Sequence, residues 1–296
     1  MKKDTIIEIV IAIILLITLC ILIPFTAKSI KENNNPMNNQ GAPGGQNNNV
    51  SYSAGTEITK DTTITSGEYE SSKADENVIL VSGNIKANLS NIDVKKTGDS
   101  NGGDNTSFYG TNSAILVKDG ATLSLKNITI ETNGTGANGV FSYGGSATTN
   151  NSNSDGTTIN ISDSKIITKK DNSGGIMTTG GGITNATNLT IETAGTSSAA
   201  IRSDRGGGTV NVDGGTYKTT GKGSPSIYST ADITVKNAHD HNERSGKADA
   251  QYDSKEERRV ILGSESKTAI SNGESVRNDH KGTPYRTKDP TSTENF

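Results

Sequence analysis

The chain has 296 residues, of which only 30% are hydrophobic and 4% aromatic, with 34 Gly, no Trp and one Cys. An ordinary globular domain is much more apolar, so the composition argues against a compact, thick-cored α/β enzyme; what remains is a disordered chain or a repeat fold with a thin apolar column. A formal net charge of −3 supplies no basic footprint for nucleic acid.

The N-terminal stretch Ile6–Phe25 is apolar apart from Glu8 and Thr18 and follows Lys2 and Lys3. At helical rise it spans roughly 30 Å, the hydrocarbon thickness of a bilayer. It is read as an uncleaved membrane anchor within residues 1–27. A cleaved signal peptide is the weaker alternative, because Phe25-Thr26-Ala27 puts a bulky side chain where a small one is wanted. A lipoprotein at Cys20 is weaker still, because Leu19 precedes it. The few flanking lysines favour a cytoplasmic N-terminus. Residues 28–51, with the run NNNPMNNQGAPGGQNNN, bury nothing and read as a flexible linker.

From residue 76 one pattern recurs. Ile79, Ile115, Val140, Ile176, Ile201 and Ile227 head equivalent segments. The short steps between them are the repeat period itself, roughly 25 residues, in the range of stacked repeat folds. The two long steps are one such period plus a polar insertion, Gly98–Thr111 in the first case and Gly144–Gly156 in the second. Two further short runs follow in each unit, among them Ala121–Leu125 and Thr157–Ile161, then Asn127–Gly134 and Asn188–Gly195. Both alternate apolar residues with Thr, Ser or Asn, the period of half-buried strands, and Gly, Asn and Asp turns separate them. Helical periodicity is absent after the anchor. Three short strands per unit predict an all-β fold, a single right-handed parallel β-helix over residues 52–237, with 52–75 as a capping first coil. Three inward ladders are expected. The first is the aliphatic series above. The second is Ala87, Leu123, Ile159, Thr184 and Val210. The third is Val94, Ile130, Ile167, Ile191 and Tyr217.

Taken together, Gly102–Asn112, Gly136–Tyr143, Ser173–Gly182, Ser198–Gly215 and Ser224–Val235 resemble right-handed parallel β-helix proteins of the pectate-lyase-like type. They resemble more closely the Asn/Gly/Thr-rich, adhesin-like and carbohydrate-binding β-helix proteins of bacterial and archaeal surfaces. The resemblance covers roughly residues 76–237 and implies display at a prokaryotic cell surface more strongly than any ligand. After Asn237 the residue usage changes: residues 238–296 hold all three His and five of the seven Arg. They read as a charged, disordered tail or the product of a frameshift, leaving the last coil with an exposed parallel edge.

With Ile201 inward, Arg202 points outward. One outward column then reads Leu80, Leu116, Phe141, Met177, Arg202 and Tyr228; the next reads Ser82, Lys118, Tyr143, Thr179, Asp204 and Thr230. Rings on a flat face suit sugar stacking and polar neighbours suit hydroxyls, so Phe141, Tyr143, Met177, Arg202, Asp204 and Tyr228 are the candidate carbohydrate-binding residues. A glycan or cell-wall polysaccharide is the expected partner. Alternatively, loops cover the stripe. Asp99, Asp104 and Asp155 lie in solvated loops rather than metal sites. No carboxylate is expected in the coil above or below Asp204, no His precedes residue 239, and the glycines of Arg205–Gly208 open no helix. Paired-acid hydrolysis, a Ser–His triad and a phosphate loop therefore lack their parts. No cofactor, metal or catalysis is expected. Asn-x-Ser/Thr at Asn88, Asn105, Asn127, Asn185 and Asn188 follows from composition. The leading expectation is a membrane-tethered surface protein for adhesion or carbohydrate binding, ahead of a passive stalk or wall component and of a polysaccharide lyase or hydrolase.

Overall fold

The structure is a computed structural model that describes residues 50–101, 103–145 and 154–238, with the backbone alone at 239–242, 260–262, 267–271 and 275–277. The expected anchor over residues 6–25 lies outside the described residues. Among those described, no helix is long and apolar enough to cross a membrane.

The regular structure of the described residues is nearly all β-strand, and the strands pair in parallel except where Lys267–Ser271 meets Ser275–Arg277. One sheet takes the first strand of every unit: β1 (Ala54–Ile58), β4 (Asn77–Ser82), β7 (Ile115–Lys118), β10 (Val140–Tyr143), β13 (Ile176–Thr179), β15 (Ile201–Ser203) and β17 (Ile227–Ser229). The second strands are β2 (Thr62–Ile64), β5 (Lys86–Ser90), β8 (Thr122–Lys126) and β11 (Thr158–Ser162), followed by the first half of β14 (Gly182–Thr193), the first half of β16 (Gly208–Thr219) and β18 (Asp232–Lys236). The third strands are β3 (Gly67–Ser71), β6 (Ile92–Lys96), β9 (Thr129–Thr132), β12 (Lys165–Thr168) and the second halves of β14 and β16. This arrangement of repeat-like parallel strands is compatible with a β-helix. Pairing continues past residue 237. There β19 (His239–Asn242) pairs with β16, β20 (Val260–Leu262) with β17 and β21 (Lys267–Ser271) with β18, all in parallel.

The first two ladders stand as expected. Ile79, Ile115, Val140, Ile176, Ile201 and Ile227 are successive register partners and all are buried. So are Ala87, Leu123, Ile159, Thr184 and Val210. The third ladder is corrected at one position. Ile166, not Ile167, stacks between Ile130 and Ile191 and is fully buried, while Ile167 pairs with Glu131 on the outer face. A one-residue slip reverses the face of every side chain in a strand, and two adjacent isoleucines make both readings look apolar.

Polar columns run beside the apolar ones. At the bend between second and third strands, Asn91, Asn127, Asp163, Asn188, Gly214 and Asn237 all hold positive φ, between 50° and 71°. Asn, Asp and Gly tolerate this left-handed conformation best. Their side chains also link coils: Asn127 donates to Asn91 at 2.6 Å and Asn188 to Asp163 at 3.0 Å. At the entry to the first strand, the hydroxyls of Ser173, Ser198 and Ser224 accept the backbone N–H of Ala137, Ser173 and Ser198. Each such bond satisfies a buried donor that would otherwise be costly.

A buried lysine stands in a column of hydroxyls. Lys96 is in register between Ser71 and Thr132, and Thr168, Thr193 and Thr219 continue the column. All of these are buried. The Lys96 ammonium donates to the carbonyl of Lys73. Glu76, also buried, accepts from the Ser71 hydroxyl at 2.6 Å and from Lys73 at 3.1 Å. Burial works to raise the Glu76 carboxyl, but those hydrogen bonds and the charges of Lys73 and Lys96 outweigh it and hold the group below its ordinary range. For Lys96, burial dominates and lowers its pKa from the ordinary 10.5, against the pull of Glu76, Asp75 and Asp99.

The inward parity of the third ladder can be checked at its two adjacent isoleucines. Ile166→Ser should cost ~3 kcal/mol or more, through lost burial and an unpaired hydroxyl, whereas Ile167→Ser should cost under ~1 kcal/mol. Urea unfolding of the two variants compares them directly, and equal losses would contradict the register. The buried lysine gives a pH signature. Between the lowered pKa of Lys96 and 10.5, the unfolded chain carries a proton that the folded chain has released, so Lys96 makes stability rise with pH in that window. Lys96→Met should remove this contribution, read as a difference in urea midpoints between the chain and the variant that shrinks as pH rises toward the ordinary value.

Candidate functional site

The outward column is continuous. Leu80, Leu116, Phe141, Met177, Arg202 and Tyr228 are successive register partners on the face opposite the core. Their exposure is not uniform. Leu80, Leu116, Phe141 and Met177 form a second buried apolar cluster, with Tyr52, Ala54 and Tyr143 packed against it. The expectation that Phe141 and Met177 are exposed is therefore corrected: both are fully buried. Tyr143 is half-buried; burial, joined by the Tyr109, Asp155 and Asp119 fields, pushes its hydroxyl up to about 12.

The cover comes from the first insertion, which is not the featureless polar loop expected. It carries a six-residue helix, α1 (Asp104–Tyr109), closed by Gly110 at φ 72°. The backbone of Gly110 lies directly on the apolar cluster. A Cβ there would sit 2.8 Å from both the Leu116 Cδ1 and the Phe141 Cγ, so only glycine fits. Side chains from later coils hold α1 down. Asn138 donates to the carbonyl of Thr106 at 3.2 Å and Thr179 to that of Phe108 at 2.8 Å. The Tyr109 ring meets Tyr143 edge-on, with centroids 5.5 Å apart.

Beyond the end of this cover the column becomes polar. Arg202, Asp204 and Tyr228 are each partly exposed, and α1 brings Ser107 and Phe108 beside them. Arg202 holds Asp204 through Nε at 2.9 Å and through a terminal nitrogen at 2.7 Å. Its remaining donors reach the Ser197 carbonyl at 3.1 Å and the Ser107 hydroxyl at 3.5 Å, and its guanidinium lies 5.8 Å from the Tyr228 ring centre. Arg205 lies over the Phe108 ring at 4.1 Å. Burial raises the Asp204 carboxyl above its ordinary value despite Arg202 and Arg205, and Asp104 adds to the rise. Burial likewise raises the Tyr228 hydroxyl.

Of the six candidates, then, the structure groups Arg202, Asp204 and Tyr228, leaves Tyr143 at the margin of the apolar cluster, and encloses Phe141 and Met177. Sequence reasoning missed Phe108, Ser107, Arg205 and Asp104 as members of this group. A Phe-Tyr pair inside a polar insertion was the available signal. The carboxylate nearest in influence to Asp204 is Asp104 from α1, not a neighbour in its own column, where Thr230 donates to the Asp204 backbone carbonyl. Among the described residues, no three His, Cys, Asp or Glu side chains gather to hold a metal ion. No family model matches the chain, and no curated protein or solved structure matches it either.

Because Phe141 is enclosed and Tyr228 half-exposed, their serine variants should part company. Phe141→Ser should cost ~3 kcal/mol or more and Tyr228→Ser under ~1 kcal/mol. Thermal melts compare the two; similar losses would mean that α1 does not seal the apolar cluster.

Proposed function

We propose that this chain is a right-handed parallel β-helix displayed at a prokaryotic cell surface, tethered through residues 6–25, which acts in adhesion or carbohydrate binding and catalyses no reaction. One observation carries the binding part of this reading. Past Met177 the outward column presents a partly exposed group that combines an aromatic ring, Tyr228, with the Arg202–Asp204 pair, alongside Phe108 and Arg205. A ring face beside fixed donors and acceptors suits a sugar, whose C–H face stacks while its hydroxyls hydrogen-bond. The tether and the surface location rest on the apolar N-terminal sequence and on the resemblance of residues 76–237 to surface β-helix proteins.

A second reading, a passive stalk or wall component, is favoured by one finding. Enclosure of Phe141 and Met177 under α1 removes two of the six expected contact residues from the surface.

A glycan array probed with the full-length chain and with Tyr228→Ala separates these readings. Loss of the ring should weaken binding by ~1 kcal/mol or more, about fivefold, with little change in the thermal melt. An intact melt with unchanged binding would remove Tyr228 from the site, and no binding to any glycan would favour the stalk.

A further inference from the structure

Arg205 differs from its neighbour Arg202 in how its charge is used. Arg202 spends its guanidinium on Asp204, the Ser197 carbonyl and the Ser107 hydroxyl. The Arg205 side chain makes no hydrogen bond and no ion pair with any described residue; it lies instead on the Phe108 ring, 4.1 Å away. A guanidinium lying on a ring has its flat face occupied, while its N–H donors remain in the plane of the group and available at its edge.

The turn that carries Arg205 is fixed. Gly206, Gly207 and Gly208 follow it with φ of 85°, 59° and 147°, a path that side-chain-bearing residues resist. A Cβ on Gly208 would meet the Gly182 carbonyl oxygen at 2.5 Å. Three backbone bonds pin the turn: Gly180 N–H to the Arg205 carbonyl, Gly181 N–H to the Gly207 carbonyl and Gly207 N–H to the Asp204 carbonyl, each at 3.1 Å. The triple glycine thus forms a rigid mount for one arginine. With Asp204 held by Arg202, the positive charge of Arg205 has no carboxylate of its own among the described residues.

We infer that Arg205 is the anchor for an acidic group on the glycan, a carboxylate or a sulfate ester, which its planar donor fork engages with two parallel hydrogen bonds while Tyr228 offers a ring to the sugar. This inference rests on the carbohydrate-binding reading and narrows it to acidic polysaccharides. The geometry favours an anion over a neutral hydroxyl because charge-assisted, two-point bonds are about twice as strong as neutral ones and match the guanidinium fork. Ordering costs are also low, since Phe108 already holds the side chain. Asp104, exposed at the start of α1, is among the described residues the acid whose field raises Asp204, and it opposes an incoming anion.

The test uses the full-length chain against immobilised polygalacturonate, which carries carboxylates, heparin, which carries sulfates, and neutral dextran and cellulose. Arg205→Gln keeps much of the length of the side chain and removes its charge. It should weaken binding to the acidic chains by about tenfold, leave any binding to neutral chains unchanged and barely move the thermal melt. Asp104→Asn should strengthen acidic binding, and added salt should weaken it. Whether polygalacturonate or heparin is preferred identifies the acidic group. Binding to neutral chains that Arg205→Gln leaves intact, with no preference for acidic ones, overturns this inference and leaves the carbohydrate reading standing. Binding to none of the four overturns both.

Discussion

Each repeat unit in this fold pairs with the next at one strand spacing, about 4.8 Å, so like must stack on like. The side chain at a given position touches its counterparts above and below, and a backbone N–H at a bend must find its acceptor in a neighbouring coil. The aliphatic ladders meet the first demand. The Ser173–Ser198–Ser224 column meets the second at the entry to the first strand, and at the asparagine bends the backbone N–H groups of Asn91 and Asn127 reach the carbonyls of Lys126 and Ser162. Extra chain can be accommodated only where it leaves the stack, which is why the two long steps of the repeat add their residues between strands and not within them.

The ladders are legible in the sequence because two periods coincide there, alternation within a strand and the longer repeat from coil to coil. Legibility fails where either period becomes ambiguous. In Lys165-Ile166-Ile167-Thr168 both parities offer an isoleucine, and the choice is set by Thr168, which has to join the buried threonine column, a feature visible only once the coils are superposed. The bends look like mere composition. Asn127 and Asn188 resemble glycosylation sequons, yet each holds a left-handed turn that favours Asn, Asp or Gly.

The candidate site shows a different limit. The outward direction of Phe141 and Met177 holds, but their exposure depends on a distant insertion whose helix is too short to show periodicity. A run of four apolar outward residues, Leu80, Leu116, Phe141 and Met177, is itself a sign of something laid over them, since a strand face turned to water is normally polar. Where α1 ends, the same column turns to Arg202 and Tyr228, so the boundary of the cover and the change of chemistry coincide.

The reach of α1 has a consequence for how the stack holds together. In a linear repeat protein each unit feels only its neighbours, and disorder entering at one end can travel coil by coil. Here Phe108 is bonded to Thr179, 71 residues away, and Ser107 to Arg202, 95 residues away. These bonds fasten coils that never touch one another directly. A one-dimensional chain of weak links thus acquires a clasp, and the coils beneath it can separate only together. Loosening that enters at either terminus has to break these bonds before it can pass the clasped section, which couples the middle of the protein beyond its nearest-neighbour contacts.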